Sequence, residues 1–127
     1  MRPSPHLLVV DDEEDVRWAL KMILTRSGYV VATASSGAEA LCWLKDHGCD
    51  LILLDAKLGD MEGVELARRI RSETGSHSPV ILVSGYFYKD DSLIQDSVAI
   101  GLIAAFVTKP FRHDEIRDTV HNVLAAA

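Results

Sequence analysis

Five polar side chains stand at the ends of apolar runs that are far apart in the sequence. They are Asp11, Asp12, Asp55, Ser84 and Lys109. Carboxylates that lie close together repel one another, and raised pKa values or a bound cation relieve the repulsion. A few oxygen ligands with room for water suit Mg²⁺ better than Ca²⁺, and Mg²⁺ commonly binds together with phosphate. If the fold gathers these side chains, they suit phosphoryl transfer onto Asp55, with Lys109 and Ser84 as partners of the phosphoryl oxygens.

Asp55 taken alone has two interpretations. It follows the apolar residues at 51–54, a short run with polar flanks that is typical of a strand buried in a parallel sheet. Asp55 would then lie at the carboxyl end of that strand, where ligands bind in open α/β sheets. A loop aspartate that caps the next turn gives the same local sequence. The other apolar runs of the chain are needed to choose between the two.

Strand and helix signals alternate along the chain. Short apolar or β-branched runs predict strands at 7–10, 29–34, 51–54, 80–83 and 103–107. Apolar residues at helical spacing predict helices within 16–27, 36–48, 64–75, 93–101 and 114–124. Five alternating strands and helices are typical of a doubly wound α/β fold, for which the common order of five parallel strands is 2-1-3-4-5. Because crossovers are right-handed, we predict helices on both faces, the first and fifth on one and the other three opposite.

This strand order brings the five polar side chains to one edge of the sheet, because the carboxyl ends of parallel strands all face the same way. The second strand lies at the outer edge, ends in Ala34 and Ser35, and adds no charge. Loop residues scattered at random would not follow the sheet order so closely. We therefore favour a functional site around Asp55 over a turn-capping role.

The start of the second helix has a separate local signal. Ser36 is followed three residues later by Glu39, the pattern of a capping box. In the last helix, Asp114 and Glu115 lie near the positive amino-terminal end of the helix dipole.

Four short motifs carry a resemblance to a known family. They are VVDDE at 9–13, LLDAKLGDMEG at 53–63, LVSGY at 82–86 and FVTKPF at 106–111. From about residue 7 to residue 124 the chain resembles the receiver domain of two-component response regulators. Each motif alone is weak, but their combination in this order and spacing is highly specific. The resemblance implies a flavodoxin-like (βα)5 fold and a phosphoacceptor function.

The resemblance also implies roles for the acidic residues. Asp55 would accept a phosphoryl group from a phosphohistidine of a sensor histidine kinase or a phosphotransfer protein. Asp12 would bind Mg²⁺ directly and Asp11 mainly through water, and Asp55 and the backbone carbonyl of Lys57 would complete the protein ligands. The domain would assist its own phosphorylation and dephosphorylation without being an enzyme for another substrate.

A conformational switch is implied as well. Ser84 would hydrogen-bond the new phosphoryl group, Lys109 would pair with it, and the ring of Phe106 would turn inward. The Lys109-Pro110 bond would be cis. The face formed by the fourth helix, fifth strand and fifth helix would contact an output domain or downstream effector, and phosphorylation could promote a homodimer.

Two positions depart from the family pattern. Gly59 stands where the family usually has proline, so the loop beside Asp55 loses a rigid residue, which could cost about 0.4 to 1 kcal/mol. Lys57 is an unusual cation two residues after Asp55. Its side chain either points to solvent or reaches the phosphoryl group and alters its lifetime.

The composition describes a single acidic domain. Its 127 residues are 48% hydrophobic, enough to bury a core without disulfides, and we predict one domain over 1–127 with its core at about 6–125. The formal charge of -6 argues against direct binding of nucleic acid or of a membrane surface. Arg68, Arg69 and Arg71 form a basic cluster that we expect to face solvent on a helix.

Cysteine content and hydropathy bear on the cellular compartment. Cys42 and Cys49 lack the spacing of a redox or zinc site, and we expect both to be reduced packing residues. We expect no secretory segment, and no window of this sequence approaches the roughly 20 apolar residues that cross a bilayer. We expect a soluble, cytoplasmic protein.

Other functions fit parts of the pattern. A pseudo-receiver that is never phosphorylated would act only as a protein-binding module, but the intact set of five polar residues argues against it. A Mg²⁺-dependent hydrolase with an aspartate nucleophile usually has a second acid two residues later, where this chain has Lys57. A nucleotide site lacks its glycine fingerprint after the first strand.

Overall fold

The fold consists of one sheet between two layers of helices. It was obtained as a computed structural model that describes residues 3–85, 96, 98 and 100–126. The strands are β1 (His6–Val10), β2 (Val30–Ala34), β3 (Leu51–Asp55), β4 (Val80–Ser84) and β5 (Ala105–Thr108). The helices are α1 (Glu14–Arg26), α2 (Gly37–Asp46), α3 (Gly63–Arg69), a π-helical turn (Ile70–Thr74) that continues α3, and the C-terminal helix (His113–Ala126).

All strand pairs in the sheet are parallel, and the order is β2-β1-β3-β4-β5. This confirms the predicted order. Every residue of β3 and β4 is buried, whereas the edge strand β5 is only partly buried. Central parallel strands are covered on both faces, so near-continuous apolar runs are the sequences that form them.

Alternate residues of the central strands feed two separate cores. Leu7 and Val9 of β1 pack with the apolar faces of α1 and the C-terminal helix. Leu8 and Val10 pack on the opposite side with α2, α3 and the π-helical turn. The predicted placement of the first, second, third and fifth helices is therefore confirmed. The fourth predicted helix, with Leu93 and Ile94, lies outside the described residues except for the helical positions 96 and 98.

Several element boundaries differ from the sequence prediction. β5 begins at Ala105 rather than 103: Ile103 is buried in the core, and the Ala104 N–H makes the first bond to β4, donating to the Val80 oxygen at 2.8 Å. α2 ends at Asp46. The hydroxyl of Ser36 accepts the Glu39 N–H at 3.1 Å, as the capping box predicts.

In a standard capping box, the side chain of the third helical residue also accepts a bond from the backbone N–H of the cap residue. That second bond has a different partner here. The Glu39 carboxylate accepts hydrogen bonds from the backbone N–H and the hydroxyl of Ser35, at 3.2 and 2.7 Å. These two bonds lower the pKa of Glu39. The cap therefore involves the residue before Ser36 rather than Ser36 itself.

The two cysteines occupy different surroundings. Cys49 is half-buried against the core, and burial raises the pKa of its thiol. Cys42 is exposed on α2, so the prediction that it is a packing residue is wrong. Its apolar neighbours Leu41 and Leu44 take the buried face of that helix instead.

The basic cluster at the end of α3 and in the π-helical turn makes local contacts. Arg68 pairs with Glu65 at 2.7 Å, and Arg69 pairs with Glu73. The guanidinium of Arg71 donates to the backbone oxygen of Gly101 at 2.7 Å. In the part of the chain that the structure describes, no helix combines the length and apolarity needed to span a bilayer.

Candidate functional site

The end of β1 supplies two carboxylates with different exposure. Asp11 is buried, with 1% of its surface exposed, whereas Asp12 is exposed. The Asp11 N–H donates to the Ala34 oxygen at 3.2 Å, which continues the β1–β2 pairing up to the site. Its Oδ1 accepts the Glu13 N–H at 2.9 Å, and its Oδ2 accepts a bond from Lys109 Nζ at 2.9 Å. Asp11 is therefore fixed in place, and Asp12 lies beside it facing solvent.

Asp55 lies at the end of β3, next to β1 in the sheet. Only 7% of its surface is exposed. Its Oδ1 accepts the Lys57 N–H at 3.2 Å, and its Oδ2 lies 3.5 Å from Lys109 Nζ. The carboxylate is thus held from one side by its own loop and from the other by the lysine that follows β5.

The segment after Asp55 forms a closed loop, residues 56–62, that we call the acceptor loop. Lys57 and Glu62 form an antiparallel bridge, and the Leu58 N–H donates to the Met61 oxygen at 3.0 Å. The Gly63 N–H donates to the Ala56 oxygen at 2.8 Å, where α3 begins. These bonds bring the end of the loop back beside its first residue, Ala56. The first residue of α3 therefore lies next to the end of β3.

Gly63 is required by this close return. A Cβ atom at that position would lie 2.4 Å from the backbone oxygen of Asp55 and 3.0 Å from the Cα of Ala56. Because both atoms are backbone, they could give way only if the end of β3 moved. Gly63, the last residue of the LLDAKLGDMEG motif, therefore allows the backbone of Asp55 to keep its position.

Ser84 and Lys109 come from the next two strands. Ser84 is buried at the end of β4 and pairs with Thr108 of β5. The Lys109 N–H donates to the Ser84 oxygen at 2.6 Å, which ties the start of the Lys109-Pro110 segment to β4. The Lys109-Pro110 peptide bond is cis, as predicted. Both residues thus reach the edge where Asp11 and Asp55 lie.

The three carboxylates form a compact cluster. One oxygen from each of Asp11, Asp12 and Asp55 can be chosen so that all lie within 4.8 Å of one another. Burial raises the pKa of Asp55, and the charge of Asp11 raises it further, against the lowering effects of the Lys57 N–H and of Lys109. The carboxylate is therefore held at an electrostatic cost that added positive charge would reduce.

Lys109 supplies part of that positive charge. Burial alone would lower its pKa, but the hydrogen bond and charge of Asp11, followed by the charge of Asp55, outweigh burial and raise it. The ammonium group is therefore charged at neutral pH. All-oxygen donors, one of them open to solvent, fit a hard divalent cation that keeps water ligands, so the residues present fit Mg²⁺.

The other predicted residues occupy the surroundings of this cluster. Lys57 contributes its backbone N–H to Asp55, while its side chain is exposed. Phe106 is half-buried on β5 and packs against the core on the α2 and α3 side. Tyr86, the last residue of the LVSGY motif, lies outside the described residues.

One residue near the site was missed by the sequence analysis. Asp60, at the tip of the acceptor loop, accepts bonds from the backbone N–H groups of Gly37 and Ala38, both at 3.0 Å. A loop aspartate followed by a hydrophobic residue is not a specific signal, and the partner helix lies more than twenty residues earlier in the chain. Only the tertiary structure identifies this contact.

The sheet order and the acidic cluster at its carboxyl edge define a flavodoxin-like α/β protein with a site suited to a divalent cation. The sequence model of one family, described as the response regulator receiver domain, matches residues 7–121. The chain belongs to that family. It is a receiver domain of phosphoaccepting response regulators, and the pseudo-receiver alternative is not supported.

Individual relatives agree with this assignment. Sporulation initiation phosphotransferase F of Bacillus subtilis (strain 168) is 35% identical over 118 residues, which cover 93% of this chain and 92% of that protein. Transcriptional regulatory protein AfsQ1 of Streptomyces coelicolor is 38% identical over 109 residues, which cover 84% of this chain and 45% of that protein. The chain thus spans nearly all of the first relative and about half of the second.

A solved structure shares the fold. Response regulator protein TrrA of Thermotoga maritima, in complex with Mg²⁺ and BeF, is 32% identical with a TM-score of 0.80, covering 94% of this chain and 98% of that one. Receiver domains are signalling domains that bind Mg²⁺ in an acidic pocket. They interact with histidine kinases or phosphotransfer proteins and with output domains.

Proposed function

We propose that Asp55 is the phosphoacceptor of this receiver domain and that its phosphorylation requires Mg²⁺. The observation that carries the proposal is the position of the Asp55 carboxylate. It is nearly buried at the end of β3, lies 3.5 Å from Lys109 Nζ, and belongs to the three-carboxylate cluster. A nucleophile for phosphoryl transfer needs positioning and nearby positive charge, and both are supplied here.

The transfer step follows from the chemistry of a carboxylate nucleophile. An oxygen of Asp55 forms a bond to phosphorus while the phosphorus–nitrogen bond of the donor phosphohistidine breaks. The electron pair of that bond stays on the histidine nitrogen, which takes a proton from solvent. Lys109 pairs with the phosphoryl oxygens, and the Ser84 hydroxyl donates to one of them. The product is an acyl phosphate on Asp55.

Mg²⁺ would be held directly by the carboxylates of Asp12 and Asp55 and by the backbone carbonyl of Lys57, and mainly through water by Asp11. Asp12 faces solvent, which leaves room for water ligands on that side. When bound, Mg²⁺ supplies the positive charge that lets phosphoryl oxygens approach an acidic pocket. The Lys57 N–H would orient the Asp55 carboxylate, and Lys109 would neutralise part of the negative charge of the phosphoryl group.

We also propose how the phosphoryl group is sensed. Ser84 is drawn toward the phosphoryl group, and Phe106, which pairs with Leu82 two residues before Ser84 in β4, turns inward. The change would reach the face that includes β5 and the C-terminal helix, where an output domain, an effector or a second copy of the chain would bind. Phosphorylation then shifts an existing two-state equilibrium.

The proposal is tested by incubating the protein with acetyl phosphate and Mg²⁺ and measuring its intact mass. We expect wild-type protein to gain one phosphoryl group, and Asp55→Ala to gain none. Chelation of Mg²⁺ with EDTA should abolish the gain. A phosphorylated Asp55→Ala protein would show that the acceptor is elsewhere.

A further inference from the structure

The amino terminus of α2 is capped by two different segments of the chain. Ser36, the residue before the helix, accepts the Glu39 N–H at 3.1 Å. Asp60 of the acceptor loop accepts the Gly37 N–H with Oδ1 and the Ala38 N–H with Oδ2, both at 3.0 Å. Ser36 therefore stabilises only the helix, whereas Asp60 also ties the helix to the acceptor loop.

A packing contact accompanies these two hydrogen bonds. A Cβ atom on Gly37 would lie 2.6 Å from Sδ of Met61, the residue after Asp60. The backbone of α2 and the tip of the loop are therefore in direct contact. The two N–H bonds also lower the pKa of Asp60, so its carboxylate is ionised at neutral pH.

The tip of the loop is connected to Asp55 by a short series of bonds. Met61 accepts the Leu58 N–H at 3.0 Å, and Lys57 bridges to Glu62. Lys57 in turn donates its N–H to Asp55 Oδ1 at 3.2 Å. Anything that fixes the tip therefore fixes the group that orients the Asp55 carboxylate.

The loop has a flexible residue between these two points. Gly59 separates the tip from Lys57, and a glycine allows more backbone conformations than any other residue. A Cβ atom at position 59 would meet only Asp12 Oδ2, at 3.7 Å, which is ordinary van der Waals contact. Space therefore does not require a glycine at position 59, and the conformational freedom of this residue is limited by the bonds that the rest of the loop makes.

We propose that Asp60 is a positioning residue of the phosphoacceptor site: by binding the first turn of α2 it holds the acceptor loop, and through Lys57 the Asp55 carboxylate, in the reactive arrangement. This inference rests on the proposed function of Asp55. It adds that α2, which contributes no side chain to the acidic cluster, controls the reactivity of that cluster through two backbone N–H groups.

The test compares Asp60→Ala with Ser36→Ala. Both variants remove a cap from the same end of α2, but only Asp60→Ala releases the loop. Hydrogen exchange in Mg²⁺-free protein is followed at the amides of Lys57 and Leu58. We expect their exchange to accelerate in Asp60→Ala and to stay within about twofold of wild type in Ser36→Ala, because only the first variant frees the loop.

The second readout is the phosphorylation rate at saturating acetyl phosphate with Mg²⁺. We expect Asp60→Ala to lower it by about three- to tenfold, through loss of orientation, and Ser36→Ala to change it less than about twofold. Adding Gly59→Ala to Asp60→Ala should recover part of the rate, since it stiffens the freed loop without a steric conflict. Should Asp60→Ala fail to fold, Asp60→Asn, which keeps one acceptor oxygen, should give an intermediate loss.

The outcomes separate this inference from the proposed function. If wild-type protein is phosphorylated but the two alanine variants behave alike in both measurements, Asp60 is only a helix cap and the inference is wrong. If wild-type protein is not phosphorylated at Asp55, the proposed function fails, and the exchange rates alone decide whether Asp60 restrains the loop.

Discussion

Two properties of Asp55 disfavour its charged form in the metal-free protein. Its carboxylate is buried, and it lies beside the carboxylates of Asp11 and Asp12. Burial and the charge of Asp11 raise its pKa. A residue placed in this way destabilises the fold at neutral pH until a cation binds, which is typical of functional sites.

Replacing Asp55 with asparagine should therefore stabilise the metal-free protein. A raised pKa in the folded state means that stability is greatest below the unfolded pKa and declines as the pH rises through the folded value. The side-chain amide of Asp55→Asn does not titrate, so the stability of this variant does not decline in this way. The amide also keeps an oxygen that can accept the Lys57 N–H. We expect a gain of about 1 kcal/mol in the free energy of unfolding at pH 7, measured by urea denaturation without Mg²⁺.

The same experiment with Mg²⁺ provides the control. A cation that binds the folded state stabilises it by mass action, so wild type should gain more from Mg²⁺ than Asp55→Asn does. A metal-free Asp55→Asn protein less stable than wild type would contradict the electrostatic account of the site.

A substitution at Gly63 tests how tightly the start of α3 packs against the backbone of Asp55. Because a Cβ atom there would lie 2.4 Å from the Asp55 backbone oxygen, we expect Gly63→Ala to destabilise the protein by about 1 to 3 kcal/mol. Gly59→Ala, in the acceptor loop just before α3, is the matched control, since a Cβ atom there would have its nearest neighbour 3.7 Å away. Denaturant midpoints check both, and equal effects would show that the backbone return at Gly63 is not tight.

The amino terminus of α2 is capped by Asp60, a residue more than twenty positions later in the sequence. We expect Asp60→Ala to cost about 1 kcal/mol at pH 7, the usual effect of losing a helix cap. The pKa of Asp60 is lowered by the Gly37 and Ala38 N–H bonds, so its contribution is present above the unfolded pKa and is lost as the pH falls through the folded value.

The destabilisation by Asp60→Ala should therefore shrink below about pH 4, the ordinary range of an aspartate. Ser36→Ala removes an uncharged cap, and its effect should not depend on pH in this way. Urea denaturation at a series of pH values distinguishes the two. A pH-independent effect of Asp60→Ala would mean that the charge of Asp60 does not contribute to the cap.

The elements also show why sequence predicts some features and not others. The apolar runs of β1, β3 and β4 are buried on both faces, so their positions and the polar residues at their ends, Asp11, Asp55 and Ser84, could be predicted. Ile103 is as apolar as a strand residue but fills the core before β5 begins. The bonds from α2 to Asp60 form only because the acceptor loop packs against the start of α2. No local sequence pattern predicts that contact.

Considered as a whole, the molecule places its chemistry at one edge of the sheet and its conformational response elsewhere. Four segments that are far apart in sequence meet at Asp55 because parallel strands end on the same side. In the proposed switch, the response to phosphorylation passes from Ser84 to Phe106, which lie on the paired strands β4 and β5. Their switch roles are implied by the family resemblance and stay predictions.

The response can be measured with beryllofluoride, which mimics the phosphoryl group on an aspartate. In the presence of Mg²⁺ we expect it to change the amide exchange of β5 and of the C-terminal helix, and to leave the distant edge strand β2 unchanged. Asp55→Asn protein should show no response. If beryllofluoride did not change amide exchange in β5 of wild-type protein, the proposed two-state switch would be wrong.

The central claim is that Asp55 is phosphorylated in a Mg²⁺-dependent reaction, and chemical trapping tests it most directly. After treatment with acetyl phosphate and Mg²⁺, borohydride reduces an acyl phosphate to the alcohol, so that peptide sequencing by mass spectrometry identifies the residue. We predict conversion of residue 55 to homoserine, and none when EDTA replaces Mg²⁺. Conversion at another carboxylate, or equal conversion at residue 55 without Mg²⁺, would contradict it.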